Sequence, residues 1–316
     1  MITVLTGGTG GAKFIQGLQQ VVSPGELTAI VNTGDDLEWW GLHVSPDLDS
    51  VTYALAGMLS RERGWGIDGD TFHCLEAMRR FGAPSWFQLG DRDLATHLFR
   101  TQLLTNGMSL TEATAKIARA LGVEAFILPM TNDRVETRIV TPGGDLAFQE
   151  YFVRERYQVP VQSVRFDGAA EAAPAPGVVE AILGARAVLI APSNPVTSIG
   201  PILAVPGVRE ALQETRASIV AVTPIIAGAA VSGPAAVLMQ ALGLPASIEG
   251  VAGAYRDFLD VLVVDERDAA AAGEVERLGI RTLCARTLMT TTAEKIAVAS
   301  AALHAAGQWQ AAGAST

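Results

Sequence analysis

The chain reads as an α/β protein: a doubly wound, mostly parallel Rossmann-like sheet with an inserted helical block and a β-hairpin. Three observations predict this. The opening runs from a β-branched stretch, Met1–Thr6, through Gly7-Gly8-Thr9-Gly10-Gly11 into helical apolar spacing at Phe14, Leu18 and Val21/Val22. Pro24-Gly25 stops that helix and a second apolar run, Leu27–Val31, follows, which makes a β-α-β unit of normally right-handed sense. After Val178, short apolar runs again alternate with helical patterns. Finally, 49% hydrophobic residues and 32 glycines in 316 residues suit a globular α/β chain with a substantial core.

Between Asp49 and Leu121 the pattern is mostly helical, a subdomain of about residues 50–121. Helices are expected at Val51–Leu59, Asp70–Phe81 and Asp91–Leu104. Ser109-Leu110-Thr111-Glu112 is a capping-box pattern that opens a fourth, ending at Gly122. Glu124–Leu128 returns to strand character. Val135–Thr141, the turn Pro142-Gly143-Gly144-Asp145 and Leu146–Val153 read as a β-hairpin. Ala169–Gly177 is low in complexity and is expected to be a surface loop. Then come a helix at Val178–Leu183, a strand at Ala187–Ile190, a helix at Val205–Glu214 and a strand at Ser218–Val222. Helices at Pro234–Leu242 and Ile248–Phe258, a strand at Asp260–Val264, a helix at Ala269–Leu278, a weak strand at Arg281–Cys284 and a helix at Thr291–Ala306 complete the order. The whole of residues 1–316 is expected to form one α/β domain, with a disordered tail at Gln308–Thr316.

The net charge of −10 argues against a surface that grips long nucleic acid. Cys74 and Cys284 lie far apart without CxxC spacing, which argues against structural zinc and fits a reducing cytoplasm. No basic segment precedes an apolar signal stretch, and no apolar run reaches the roughly 18 residues of a membrane span. A cytoplasmic protein with neither membrane nor nucleic-acid partner is the expectation.

The strand Leu27–Val31 delivers NTGDDLEWWGLHVSPDLDS, Asn32–Ser50, in which Asp35, Asp36, Asp47 and Asp49 crowd together. Carboxylates at the carboxyl end of such a strand raise each other's pKa unless a cation or donors sit among them, and hard oxygens suit magnesium. The plainer alternative is a solvated acidic loop. The glycine run matches neither a GxGxxG fingerprint, because Lys13 stands where glycine is needed, nor a Walker loop, because Ala12-Lys13-Phe14 replaces Gly-Lys-Ser/Thr. Close backbone approach and a helix N-terminus still suit an anion, with Lys13 adding charge; otherwise this is a tight turn. Gly90-Asp91-Arg92-Asp93-Leu94-Ala95-Thr96-His97 reads as a helix cap with an ion pair. In Thr131-Asn132-Asp133-Arg134, Asp133 sits beside Arg134, which suits a phosphate fork or an ion-pair turn. Ser193, Asn194, Pro195, Ser198 and Gly200 follow the Ala187–Ile190 strand, where hydroxyls and amides either hold phosphate or base, or cap the next helix. No GxSxG elbow or HExxH occurs.

Six stretches together resemble the 2-phospho-L-lactate transferase family, whose bacterial members are called phosphoenolpyruvate transferases. They are TGGTGGAKF (Thr6–Phe14), NTGDD (Asn32–Asp36), GLHVSPDLDS (Gly41–Ser50), GDRDLATHL (Gly90–Leu98), TNDRVET (Thr131–Thr137) and APSNPVTSIGPIL (Ala191–Leu203). The resemblance implies transfer of a phospholactyl, phosphoenolpyruvyl or phosphoglyceryl group from its guanosine diphosphate ester. The acceptor would be the ribityl hydroxyl of the deazaflavin Fo, GMP would leave, and the product would lead to coenzyme F420. It further implies magnesium on Asp36, Asp47 and Asp49, one of which accepts the hydroxyl proton, with Arg134 neutralising the transferred group. Gly8, Thr9, Gly10 and Asn32 would border Fo and phosphate; Ser193, Asn194, Ser198 and Gly200 would hold the guanosine diphosphate part. A homodimer is implied as well. A related group of UDP-sugar-binding regulators of gluconeogenesis shares the glycine loop and Asp-Asp pair. Leu37-Glu38-Trp39-Trp40 and SPDLDS favour the transferase branch over it. An NAD-linked oxidoreductase rests only on the opening β-α-β unit.

Overall fold

The computed structural model describes residues 1–307, so the tail expected at 308–316 lies outside the described residues. Seven strands form the central sheet: β1 (Ile2–Thr6), β2 (Leu27–Val31), β3 (Phe126–Pro129), β4 (Ala187–Ile190), β5 (Ser218–Val222), β6 (Val261–Asp265) and β7 (Arg281–Ala285). Every neighbouring pair is parallel and the spatial order is β7-β6-β5-β4-β1-β2-β3. This is the doubly wound order, in which the chain reverses its direction of travel between β1 and β4.

The five inner strands are buried on both faces, so they carry near-continuous apolar runs. Alternate residues serve opposite layers. Leu5, Ile30, Ile190, Ala221 and Val264 join one core cluster with the helices at Val178–Leu183, Val208–Glu214 and Ile248–Ala254. Val4, Val31, Leu189, Val222 and Val263 join the other, against Phe14, Ile15 and Leu18 of α1 (Gly8–Leu18) and Val298, Ala302 and Leu303 of the Thr292–Ala305 helix. Each large aliphatic so buried contributes about 1.5–3 kcal/mol before entropy is counted.

The helical block holds α2 (Pro46–Leu55), α3 (His73–Arg80), α4 (Asp91–Thr105) and α5 (Leu110–Ala120). The capping box at Ser109 and Glu112 is formed as expected. Helix α2 starts before the expected Val51, because Pro46 is preorganised for the first helical turn and Asp47 and Asp49 there favour the dipole. The two aspartates therefore sit on a helix and not in a loop. Ahead of them, Leu37–Trp39 and Leu42–Val44 pair in a hairpin whose turn, Trp40-Gly41, has φ of 53° and 76°.

The expected hairpin after Val135 exists as Glu136–Thr141 against Gly144–Ala147. It is widened by a third strand, Ser163–Asp167, and the second strand stops early. Glu150 accepts from the Ala147 N–H at 3.1 Å and pairs with Arg154 at 2.7 Å, one helical turn on, so Glu150–Arg154 coils into a π-helical turn. Ala169–Gly177 is no free surface loop: Ala169, Ala172 and Ala175 are buried, and Thr131 Oγ1 donates to the Ala173 carbonyl at 2.6 Å. The helix expected at Val205–Glu214 starts later, at Val208, because Pro206-Gly207, with Gly207 at φ 90°, separates it from a short helix at Gly200–Ala204.

Candidate active site

Because the chain reverses between β1 and β4, the helices that follow these two strands pack on opposite faces of the sheet, and a crevice opens at its carboxyl edge. A cleft of about 640 Å³ occupies it, a size suited to a nucleotide or other small-molecule ligand. Its floor is the glycine loop. A Cβ at Gly10 would overlap the carbonyl oxygen of Pro192, so glycine there lets the two loops touch. Ser193 Oγ clamps the contact, donating to the Gly7 carbonyl at 2.7 Å and accepting from the Gly7 N–H at 3.3 Å. Helix α1 has no N-cap side chain and no acidic residue of its own in its first turn, and Gly8, Thr9 and Gly10 there line the cleft.

Asp47 reaches this floor from α2. It accepts from the Gly8 N–H at 2.7 Å and from Asn32 Nδ2 at 3.0 Å. Asn32 is buried below, donating also to the Thr197 carbonyl at 3.2 Å and accepting from the Gly34 N–H at 2.8 Å. Burial pushes the Asp47 carboxyl up to about 6 despite these donors, and Asp36 and Asp49 push the same way. Burial and then the Asp47 charge raise Asp35 well above the usual carboxylate range. Its Oδ1 is buried without a hydrogen-bond partner. Asp36 is raised by burial too, although Oδ2 accepts from Ser45 Oγ at 2.7 Å and lies 3.1 Å from His43 Nε2.

Asp49 has a different environment. It forms a buried two-pronged ion pair with Arg100 of α4. His97 stands between Asp49 and Asp93, with Nδ1 3.6 Å from the first and Nε2 3.3 Å from the second. Tyr53 of α2 donates to Asp93 at 2.7 Å. Burial works to raise Asp93, yet His97, Tyr53 and Arg100 hold it below its ordinary value. One cation and several donors thus satisfy Asp49 and Asp93, while Asp35, Asp36 and Asp47 have no buried cation of their own.

That division sets the three aspartates of the expected magnesium triad in different surroundings. Among the described residues no three acidic, imidazole or thiol groups are arranged to hold a metal. Asp49 is saturated by Arg100, and Asp36 turns to His43 and Ser45 and does not line the cleft. Asp35 and Asp47 do line it, and the orphaned Asp35 oxygen suits a cation. Two carboxylates with water and substrate phosphate are a sufficient set for magnesium.

One cleft wall is aromatic, built from Trp65, Trp86, Phe87, Phe148 and Phe152. Loops after β5 and β7 add Thr223, Ser232, Thr287 and Thr290 to the lining. Asp265 sets the β7 loop, accepting from the Thr287 N–H at 3.0 Å and its Oγ1 at 3.1 Å.

Of the expected site residues, Gly8, Thr9, Gly10, Lys13, Asp47, Asp49, Ser193, Asn194 and Ser198 line the cleft. Asn32 supports Asp47 from behind. Pro195 is buried at the start of a π-helical turn, and Gly200 is where a Cβ would meet the Phe166 ring at 2.9 Å; both pack and neither lines the cleft. Asp133 and Arg134 are not brought there either. They follow β3, the outer edge strand, two strands from the crevice. Arg134 has a side chain 90% exposed and pairs with Glu136, while Asp133 accepts from the Ala173 N–H at 2.8 Å. Sequence reasoning missed Tyr53, Asp93, His97 and Arg100; the last three follow i, i+4, i+7 spacing, a signal of one helix face. Thr223 and Thr287 were also missed, though both sit just past strand ends.

The family model described as 2-phospho-L-lactate transferase CofD matches residues 2–283. A 2-phospho-L-lactate transferase from Methanosarcina mazei is 46% identical over 92% of this chain and 95% of its own length. A phosphoenolpyruvate transferase from Streptomyces griseus is 44% identical over 96% and 98%. A crystal structure of a UPF0052 family member from Bacillus halodurans superposes with a TM-score of 0.64 at 18% identity, over 96% of this chain and 98% of that one. That likeness is one of fold.

Proposed function

This chain belongs to the 2-phospho-L-lactate transferase CofD family, and from that premise we propose that it moves a phospho-acid group onto the deazaflavin Fo in coenzyme F420 biosynthesis. The donor is a guanosine diphosphate ester of a three-carbon acid: phospholactyl, phosphoenolpyruvyl or phosphoglyceryl. The ribityl hydroxyl oxygen of Fo bonds to the phosphorus beside the acid. The bond from that phosphorus to the oxygen of GMP breaks, GMP keeps the electron pair, and the hydroxyl proton leaves to the acidic cluster. Transfer of this kind depends on positioning and charge stabilisation more than on covalent help from the protein.

The observation that carries the reading is the pairing of two unlike features in one cleft. A glycine floor at a helix N-terminus suits phosphate, and beside it stands the under-neutralised pair Asp35 and Asp47. Magnesium held by that pair would offset charge on the phosphates. Gly8, Thr9, Gly10 and Lys13 border the phosphates, Ser193, Asn194 and Ser198 the guanosine diphosphate side, and the aromatic wall suits the flat deazaflavin ring. A homodimer in solution is part of the proposal, to be checked by sedimentation. No helix of the described residues is long and apolar enough to cross a membrane.

The test is to incubate the protein with Fo, magnesium and each guanylated acid in turn, following GMP and phosphorylated Fo by chromatography and mass. One donor is expected to give both products in equal amount. No GMP from any donor, with binding of a UDP-sugar instead, would sink the reading in favour of the regulator group.

A further inference from the structure

Five buried polar side chains have been given no step in the transfer, although all but Arg100 line the cleft. They are Asp49 and Tyr53 on α2, and Asp93, His97 and Arg100 on α4. They form a two-rung ladder between antiparallel faces, Asp49 to Arg100 and Tyr53 to Asp93, with the His97 ring between the rungs. Residues spaced i, i+4 on α2 meet residues spaced i, i+4, i+7 on α4, so both sets lie along single faces. Arg100 is 2% exposed and Tyr53 wholly buried.

We propose that Arg100 is a positioning residue for the transfer: through Asp49 it fixes the rotation of the first turn of α2, and so aims Asp47 at the glycine loop. Successive helical residues turn by about 100°, so Asp47 and Asp49 point to nearly opposite sides. Asp47 is held on one side by Gly8 N–H and Asn32, and Asp49 on the other by Arg100. The first turn is clamped between them. A guanidinium binding with two parallel prongs sets an angle as well as a distance, which a lysine ammonium does not. The cleft-lining Asp49 is thus also the handle by which α4 steers its neighbour. A buried pair of this kind gives little net stability, which leaves direction as its contribution.

The kinetic arm of the test rests on the transferase reading; a second arm does not. Arg100→Lys keeps the charge and loses the fork. It is expected to unfold within a few degrees of wild type and to lose about 10- to 100-fold in kcat, since small misplacement at a reacting centre costs that much. KM for either substrate should stay within about threefold, because the substrate contacts themselves are untouched. Independently, hydrogen–deuterium exchange of residues 7–13 should quicken several-fold while α5 exchanges as before. Should Arg100→Lys fail to fold, the apolar pair Asp49→Leu/Arg100→Met replaces it in the exchange arm alone, because Asp49 lines the cleft and its loss would reach the substrate directly. Wild-type kcat and wild-type loop exchange, or exchange quickened evenly over the whole chain, would overturn the proposal. If wild type transfers nothing to Fo, the functional reading falls and the exchange result alone decides the role of Arg100.

Discussion

Asp47 and Asp265 both lie at the carboxyl edge of the central sheet, 6% and 3% exposed, and both accept backbone N–H groups. Their carboxyls are pushed in opposite directions. Burial and the neighbouring Asp36 and Asp49 carry Asp47 up to about 6, against only Asn32 and Gly8 as donors. Burial works on Asp265 too, but Arg267 gives it a guanidinium N–H at 2.6 Å and a backbone N–H at 3.1 Å, and Thr287 gives two more donors. These hold it well below the usual range. A cation, more donors and a setting nearer the surface, beside the half-exposed Arg267, separate them. A carboxylate supplied with all its donors is a brace; one left short, among its own kind, is ready for a partner from outside the chain.

The strongest way to break this contrast is Asp47→Asn. Turnover should fall by roughly 10²–10³-fold, the usual cost of removing one preorganised group. Stability should rise, and the sign follows from linkage. The folded carboxyl titrates near 6 against an ordinary 3.8, so its cost is absent below pH 4, grows from there to about 6 and is complete above. Removing it should return about 2–3 kcal/mol at pH 7, read by denaturation at pH 4 and pH 7. Equal stability of wild type and variant at pH 7 would mean that Asp47 is not strained by burial. Next is Gly10→Ala, whose Cβ would push the β1 and β4 loops apart. It should cost about 1–3 kcal/mol of stability and weaken GDP binding measured by calorimetry. Asp265→Asn should lower stability by about 1–3 kcal/mol through lost charged hydrogen bonds, with kcat within a few-fold of wild type. Its effect has the opposite pH sign: the stabilisation is present above about pH 4 and fades as pH falls below. A large loss of kcat with unchanged stability would put Asp265 in the same category as Asp47. Smallest is Arg134→Ala, an exposed ion pair, expected to change stability by less than about 0.5 kcal/mol and to leave kcat intact in the Fo assay.

Much of the fold was legible because the central strands are mostly apolar and stop close to glycine or proline; β4 and β5 fall on their expected residues. The Trp40-Gly41 hairpin was not legible, since a tryptophan at positive φ is held there by its surroundings, including its Nε1 donating to the Pro84 carbonyl at 2.9 Å. The site was half readable. Residue types after a strand identify the carboxyl edge, but only strand order tells which of those loops meet. Arg134 was misplaced for that reason: β3 lies at the rim. The ion pair of Asp49 was not readable because its partner, Arg100, is 51 residues away and one carboxylate in a run looks like another.

The clamp between Ser193 and Gly7 spans 186 residues of chain. During synthesis at about 5–20 residues per second, the glycine loop therefore waits roughly 10 to 40 seconds for its partner to emerge. Until then β1 has β2 on one side and an open edge of unpaired backbone groups on the other, the kind that invites other chains. The reversal of strand order that creates the cleft thus also sets the interval in which a nascent chain is most exposed to misassembly.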